Sequence, residues 1–479
     1  MKTLISILFL IIEIVANAQP PKKFYSTYGG NGYDVGYDVK QTLDGGYIIT
    51  GSTSSFGQGN TDMYFLKLDS MGWKQFETSF GGVSNEIGKS VVQLIDSSYV
   101  IAGYTSSTGV GGYDIFLVKT DKMGALLWQK TIGGADWDFA YSMQATADGG
   151  FIIAGTTYSY GRGNADGYIV KTDANGNVVW QKTYGGVNDD EFKSVIQTAD
   201  GNYALTGYTK SYNDLLGDVW GFKINTIGDS LLCKFYGGNN EDFGNEIIEH
   251  QNGNFFIAGA TQSFGAGMLD AYSIKLDNTY TQVLYQVDGH PSTNEIFHSV
   301  VIPSGNPSLT AYAETDNLSI WGIHPKIIIL NSSLGYVIAT GYGDTKEDEI
   351  FKIIKTKDSG FACIGYTKSF NSILSDVIFI KTDSTILGSQ NVISVHENED
   401  VFNNIDIYPN PVKDYIYIQI NSKKIKTISL IDIVGNVINY DLLNLDYEND
   451  KLKLDLSKMS NGIYFLKINS RAHKIIIDK

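Results

Sequence analysis

Short apolar runs alternate with tight polar turns along most of this chain. Tyr47-Ile48-Ile49, Phe151-Ile152-Ile153-Ala154 and Phe361-Ala362-Cys363-Ile364 are typical runs. β-branched and aromatic residues dominate them, and Gly, Asp, Ser or Asn bounds them. That pattern predicts strands of about five to seven residues in antiparallel pairing. A helical reading fails because no stretch sustains an apolar face at i, i+3, i+4 and i+7.

The pattern repeats. Paired glycines stand at Gly29-Gly30, Gly81-Gly82, Gly133-Gly134, Gly185-Gly186 and Gly237-Gly238, each 52 residues from the last. A turn follows each pair at Asp44-Gly45, Asp96-Ser97, Asp148-Gly149, Asp200-Gly201, Asn252-Gly253, Ser304-Gly305 and Asp358-Ser359. The last step is 54 residues, so the sixth copy carries two extra. A period of this size signals a propeller or a solenoid. Each copy divides into four strands, A to D. In the first copy these are Val35 to Gln41, Tyr47 to Thr53, Met63 to Leu68, and Trp73 to Ser79. Asp69-Ser70-Met71-Gly72 and its equivalents link C to D, with Asp capping the turn and Gly accepting positive φ. Four short strands per period make one propeller blade.

The seventh copy supplies A (Ile350 to Thr356), B (Phe361 to Tyr366) and C (Val377 to Lys381), with no D strand after Asp383. At the other end, Lys23 to Tyr28 matches the D strand that ends at Tyr184. The N-terminal strand is therefore expected to complete the last blade and close a seven-bladed β-propeller, which would remove its free sheet edges. Pro303, Pro307 and Pro325 make the sixth copy the most irregular.

Composition narrows the function classes. The net charge is −16, which argues against nucleic acid as a partner. Residues 1–18 read as a secretory signal peptide: Lys2, an apolar run from Leu4 to Ile12, then Ala16-Asn17-Ala18 before the cut. No later stretch reads as transmembrane. The two cysteines, Cys233 and Cys363, are expected to be buried free thiols.

The repeats therefore occupy 19–387. Residues 388–404 are polar and acidic and read as a linker. From 405 to 479 the strands alternate without the 52-residue period, which predicts a small β-sandwich. Its motifs are Ile407-Tyr408-Pro409-Asn410-Pro411-Val412, then Ile431-Asp432-Ile433-Val434-Gly435-Asn436. Asn461-Gly462-Ile463-Tyr464-Phe465 follows, and the chain ends with His473-Lys474-Ile475 to Lys479. In this order and position they resemble the type A C-terminal sorting domain of the type IX secretion system in Bacteroidetes. Pro409, Asn410, Pro411, Gly435, Gly462, Tyr464 and Lys474 carry the likeness. The resemblance implies export to the periplasm and passage through the outer membrane by the type IX machinery. The domain is then cleaved, and the cargo is released or attached at the cell surface. The repeats more loosely resemble those of propellers in such secreted proteins, which implies no activity.

Three series could carry chemistry. The first is acidic and follows the glycine pair: Asp34, Glu86, Asp138, Asp190, Asp242 and Asp348, with Asn294 in the sixth copy. These acids can ring one channel mouth and hold Ca²⁺ or a cationic ligand, or each can lock its own turn through backbone N–H groups. The second is Asp62, Asp114, Asp166, Asp218, Asp270 and Asp376 at the start of strand C, with the same two readings. The third is aromatic and lies between B and C: Phe56, Tyr160, Tyr212, Phe264 and Phe370. Rings beside carboxylates can stack on a sugar face, or pack under their own loops.

Nucleophile elbows, zinc-protease motifs and paired cysteines are missing from the sequence. Arg162 is the only arginine among the repeats, too few to clamp a carboxylate as a sialidase does. The expectation is a secreted or cell-surface propeller that binds a glycan or a surface protein without catalysis and without a cofactor. The alternative is a glycosidase or lyase that uses mouth carboxylates. Deletion of 405–479 is expected to leave a folded repeat domain in the periplasm; fractionation that finds it on the cell surface would refute the sorting assignment.

Overall fold

The computed structural model describes residues 23–479, apart from 213–214, 267, 304–308, 319–321, 343–345, 371, 385, 387–393, 397–404, 409–410, 421–427, 433–436, 439–444, 449–450 and 469–470. The expected signal peptide, nearly all of the linker, Pro409, Asn410 and Gly435 lie outside the described residues. Two compact units emerge, 27–388 and a second that comprises 1–26 and 389–479; the divide falls within the first strand.

The larger unit is all-β and propeller-like. Each of the first six repeats folds into its own four-stranded antiparallel sheet in the order A-B-C-D. In the third repeat the strands are Asp138–Ala145, Phe151–Thr157, Asp166–Thr172 and Val178–Tyr184. The last repeat supplies Asp348–Lys355, Phe361–Thr367 and Asp376–Thr382, and Phe24–Tyr28 stands beside the third of these. The N-terminal strand thus takes the place read from the sequence.

Strands B and C are buried along their length because both sheet faces are covered. Phe151 and Ile153 pack with Val100 and Leu117 of the preceding sheet. Their neighbours Ile152 and Ala154 pack with Phe192 and Leu205 of the following one. The two-residue alternation of a strand sends successive side chains to opposite neighbours. Strand D is the outer edge, so its residues are largely exposed. Cys233 lies there and is a free but exposed thiol, unlike the buried Cys363. The expectation of burial for both fails at Cys233, because an outer strand has no sheet beyond it.

The same bonds recur from sheet to sheet. Glu86 N donates to Thr61 O, Asp138 N to Tyr113 O, Asp190 N to Ala165 O and Asp242 N to Gly217 O, at 2.6–2.9 Å. Asp34 N donates to Ser375 O at 2.9 Å in the same way, which joins the last repeat to the first. On the opposite face, Gln93 accepts from Leu43 N at 2.7 Å and Gln197 from Ala147 N at 2.9 Å. Gln41 of the first repeat accepts from Lys357 N of the last at 2.8 Å. At the D-strand ends, the Tyr184 and Tyr236 hydroxyls donate to the next C-to-D turn at Gly228 and Tyr280. Tyr28 does so at Gly72.

A buried lysine braces three of the sheets. Lys171, only 3% exposed, donates to Asp148 in the A-to-B turn and to Thr172 O at 2.9 Å. Lys67 and Lys381 repeat the arrangement with Asp44 and Asp358. Burial works against the charge on Asp148, but Thr146 and Lys171 outweigh it and bring that carboxyl down to about 2.

The second unit is a two-layer sandwich. One sheet orders Ile405–Tyr408, Tyr415–Ile420, Lys451–Asp455 and Leu445–Glu448; the other orders Val437–Ile438, Ile428–Asp432, Gly462–Ile468 and Arg471–Ile477. Ile416, Ile418 and Leu454 of the first meet Leu430, Leu466 and Ile475 of the second in one core. The backbone of Val412, just after Pro411, bonds to both Ile476 and Asp478 at 2.7 and 2.9 Å, tying the opening motif to the closing strand. Tyr464 is buried there and its hydroxyl donates to Ser460 O at 3.1 Å. Gly462 begins the strand that pairs with Arg471–Ile477, in which Lys474 stands opposite Phe465.

Lys171→Met keeps the apolar stem but orphans the Thr172 carbonyl and the Asp148 turn. It is expected to cost about 1–3 kcal/mol, read as a lower urea midpoint with unchanged slope.

Candidate functional site

The two acidic series meet at each junction between sheets. Asp34, Glu86, Asp138, Asp190, Asp242 and Asp348 are fully buried at the start of strand A. Asp138 accepts from Gly134 N and from the Ser159 hydroxyl, both at 2.7 Å. Asp34 does so with Gly30 and Ser55, Asp190 with Gly186 and Ser211, and Asp242 with Gly238 and Ser263. Glu86 accepts from Gly82 N and Thr105, and Asp348 from Thr367 and Ser369. In the sixth repeat the strand opens with Glu295, whose N–H donates to Leu269 O, rather than with Asn294. One extra residue there shifts the register by one.

The strand C acids approach from the preceding sheet. A methyl group on Gly185 would stand 2.4 Å from Asp190 Oδ2 and 2.7 Å from Asp166 Oδ1. Gly29, Gly81, Gly133 and Gly237 are held between two carboxylates in the same manner. This explains the repeated glycine: a side chain would collide with both acids, and φ at Gly29 and Gly185 is +153° and +149°. Asp62 and Asp166 also take the N–H groups of Gly59 and Gly163 in the B-to-C loop. Burial pushes the carboxyls of Asp34, Asp62, Asp138, Asp166 and Asp376 above their ordinary range. Among the described residues, no three His, Cys, Asp or Glu side chains converge as a metal site requires.

The loop aromatics lie over this lattice. Tyr160 and Tyr212 are more than a third exposed, and their hydroxyls donate to Gly133 O and Gly185 O at 2.8 and 3.0 Å. Phe56 stacks on Tyr64 at 6.0 Å, and Phe264 lies 5.9 Å from Tyr272. Phe370 holds φ +51°.

The third repeat adds an aromatic platform that the sequence reading did not single out. Trp137 and Tyr158, 47% and 42% exposed, lie 5.9 Å apart. Trp137 also meets Tyr113 and Phe139 at 6.1 and 6.2 Å, and Phe139 meets Tyr104 at 4.9 Å. Phe139 and Tyr141 lie nearly parallel on the same face of strand A, which carries the cluster inward. Carboxylates of Asp136, Asp189 and Glu191 act on Tyr158, adding to the burial that raises its hydroxyl pKa. These aromatics break the period, so reasoning from the repeat passed over them.

Strand A of every repeat also carries a β-bulge at one register. The bulged residues are Tyr37, Lys89, Tyr141, Lys193, Asn245, His298 and Phe351. All seven line one cavity of about 230 Å³. A bulge leaves its extra residue out of the ladder and re-aims that side chain, while the next residue pairs again. That next residue hooks the neighbouring strand A: Asp38 accepts from Val91 N at 3.0 Å, Ser142 from Val195 N at 3.2 Å, and Glu246 from Val300 N at 3.0 Å. Lys352 pairs with Glu246. Burial works against its charge, but Glu246 and Asp38 outweigh it and hold its pKa above the ordinary value.

Gly185→Ala is expected to destabilise by about 3 kcal/mol or more through the two carboxylates. Gly149→Ala, where φ is +86° but nothing lies within 4 Å, is expected to cost about 1 kcal/mol. Equal losses in thermal unfolding would remove the steric account.

Comparison with known proteins adds the following. Residues 406–478 match the family described as the secretion system C-terminal sorting domain. The regulatory protein FlaEY of Caulobacter vibrioides is 24% identical over 240 residues, 42% of this chain and 25% of that protein. The chain thus spans about a quarter of the length of that curated relative. Among solved structures, the Pan2 WD40 domain of Neurospora crassa aligns at TM-score 0.45 and 10% identity, over 78% of this chain and 99% of that one. PorZ, a surface component of the type IX secretion system of Porphyromonas gingivalis, aligns at TM-score 0.35 and 10% identity, over 91% and 64%. Among the described residues no helix is long and apolar enough to cross a membrane. Residues 406–478 of this chain are a secretion system C-terminal sorting domain, which marks it for export through type IX secretion to the cell surface or the extracellular space.

Proposed function

We propose that the exported cargo is a seven-bladed propeller, closed by Phe24–Tyr28, that binds glycans at the cell surface without catalysis. Support for closure comes from bonds shared by neighbouring sheets and repeated between the last repeat and the first: Ser375 to Asp34, and Lys357 to Gln41. Glycan binding rests on one observation, the exposed Trp137–Tyr158 platform with Asp136 and Asp189 near its edge. Flat rings stack on the apolar face of a sugar while adjacent carboxylates accept its hydroxyls. Support for a non-catalytic role is the use of the Asp138 oxygen Oδ2, which accepts from Gly134 and Ser159 within its own loop.

The full chain on a glycan array, followed by titration, tests this. Wild type is expected to bind, and Trp137→Ala to weaken binding at least about 10-fold, as loss of 1–3 kcal/mol of stacking predicts. Hydrolysis or elimination of the bound glycan that disappears in Asp138→Asn would overturn the non-catalytic reading.

A further inference from the structure

The channel lysines are not equivalent. Lys40 pairs with Asp38 at 3.0 Å, Lys352 with Glu246, and Lys193 with Glu191. His298 Nε2 stands 3.2 Å from Glu349. Lys89 alone among these has no carboxylate oxygen in ion-pair contact within the described residues. Its Nζ instead lies 3.3 Å from the centre of the Tyr37 ring. Lys193 Nζ lies likewise over Tyr141, at 4.1 Å. Two ammonium groups therefore line one cavity, each on a tyrosine, and of the two only Lys193 has a carboxylate in ion-pair contact among the described residues.

We infer that this cavity is a binding site for a small carboxylate, held by the Lys89 and Lys193 ammonium groups between the Tyr37 and Tyr141 rings. About 230 Å³ suits a single acidic sugar or a short carboxylic acid, not a polymer. Electrostatics favour an anion there. Burial, and then repulsion by Lys193, lower the Lys89 pKa to about 7, with Glu191 acting against the shift. A bound carboxylate would supply the missing counter-charge and draw a proton onto Lys89. The charged and titratable groups around the cavity are Lys193 and Glu191 from the fourth repeat, Asp38 and Lys40 from the first, Glu246 from the fifth, His298 from the sixth and Lys352 from the seventh, with Tyr37 and Tyr141 beside the two lysines. The site deepens the glycan reading by naming an acidic sugar as the class. It does not depend on Trp137, since its residues differ.

Calorimetry of the full chain with glucuronate, and with glucose as the neutral control, tests the inference. Glucuronate is expected to bind at least about 10-fold more tightly than glucose. Affinity should fall as pH rises from 6 to 8, because deprotonation of Lys89 removes a charge. Buffers of different ionisation enthalpy should report proton uptake near pH 7. Lys89→Met should lose at least about 10-fold in affinity, while Lys89→Arg should keep binding and lose the pH dependence, with both variants checked for unchanged thermal unfolding. Equal binding of glucose, or glucuronate affinity unchanged in a folded Lys89→Met, would overturn the site. Array binding that depends on Trp137 without glucuronate binding would reject this site and leave the platform standing; the opposite pair of results would reject the platform alone.

Discussion

Everything in the larger unit hangs on how one sheet is fastened to the next. Each junction uses the same few groups: a backbone N–H at the start of strand A reaching the start of the preceding strand C, and two carboxylates closing on a glycine. The apolar faces between sheets supply non-directional attraction, but they do not fix the angle between blades. The carboxylate–glycine lattice does, because its hydrogen bonds are directional and its acids are buried. A buried carboxylate without donors is costly, so the serine and the second glycine N–H are needed with it. That requirement explains why acid, glycine pair and serine travel together through the repeats.

The bulge in strand A turns this repetitive scaffold into a site. Without it, strand A would present a regular ladder. With it, one residue per repeat turns into the cavity and the next hooks the neighbouring strand. Asp38, Ser142 and Glu246 serve as hooks, while Tyr37, Lys89, Tyr141 and Lys193 line the space. Structural and chemical duties are thus divided between adjacent residues. The hook position is Asp, Ser or Glu in six repeats and Lys352 in the seventh, whereas the lining position ranges over Tyr, Lys, Asn, His and Phe, as expected of positions that need not repeat.

Much of this was legible in the sequence. The period, the four strands of most copies, the place of Phe24–Tyr28 beside the last repeat's third strand and the separate terminal domain follow from spacing alone, because strand length and turn chemistry are local. The sorting domain was legible through motifs that sit at its strand ends, where Val412 is tied to the last strand and Tyr464 bonds to Ser460. Less legible was the sixth repeat, where one added residue moves the acid from Asn294 to Glu295. Cys233 was also misplaced, since an apolar run does not reveal whether a sheet lies beyond it.

The sequence by itself settled the repeat, its strands and its acids, since these rest on periodicity and backbone preference within about 13 residues. Which donor each buried oxygen meets depends on a loop such as that of Ser159, 21 positions from Asp138, and only the tertiary structure decided it. The same holds for Lys89, an ordinary lysine in the sequence. Among the described residues it lacks a carboxylate in ion-pair contact, and that standing arises only when seven separated strands bring their bulges to one cavity.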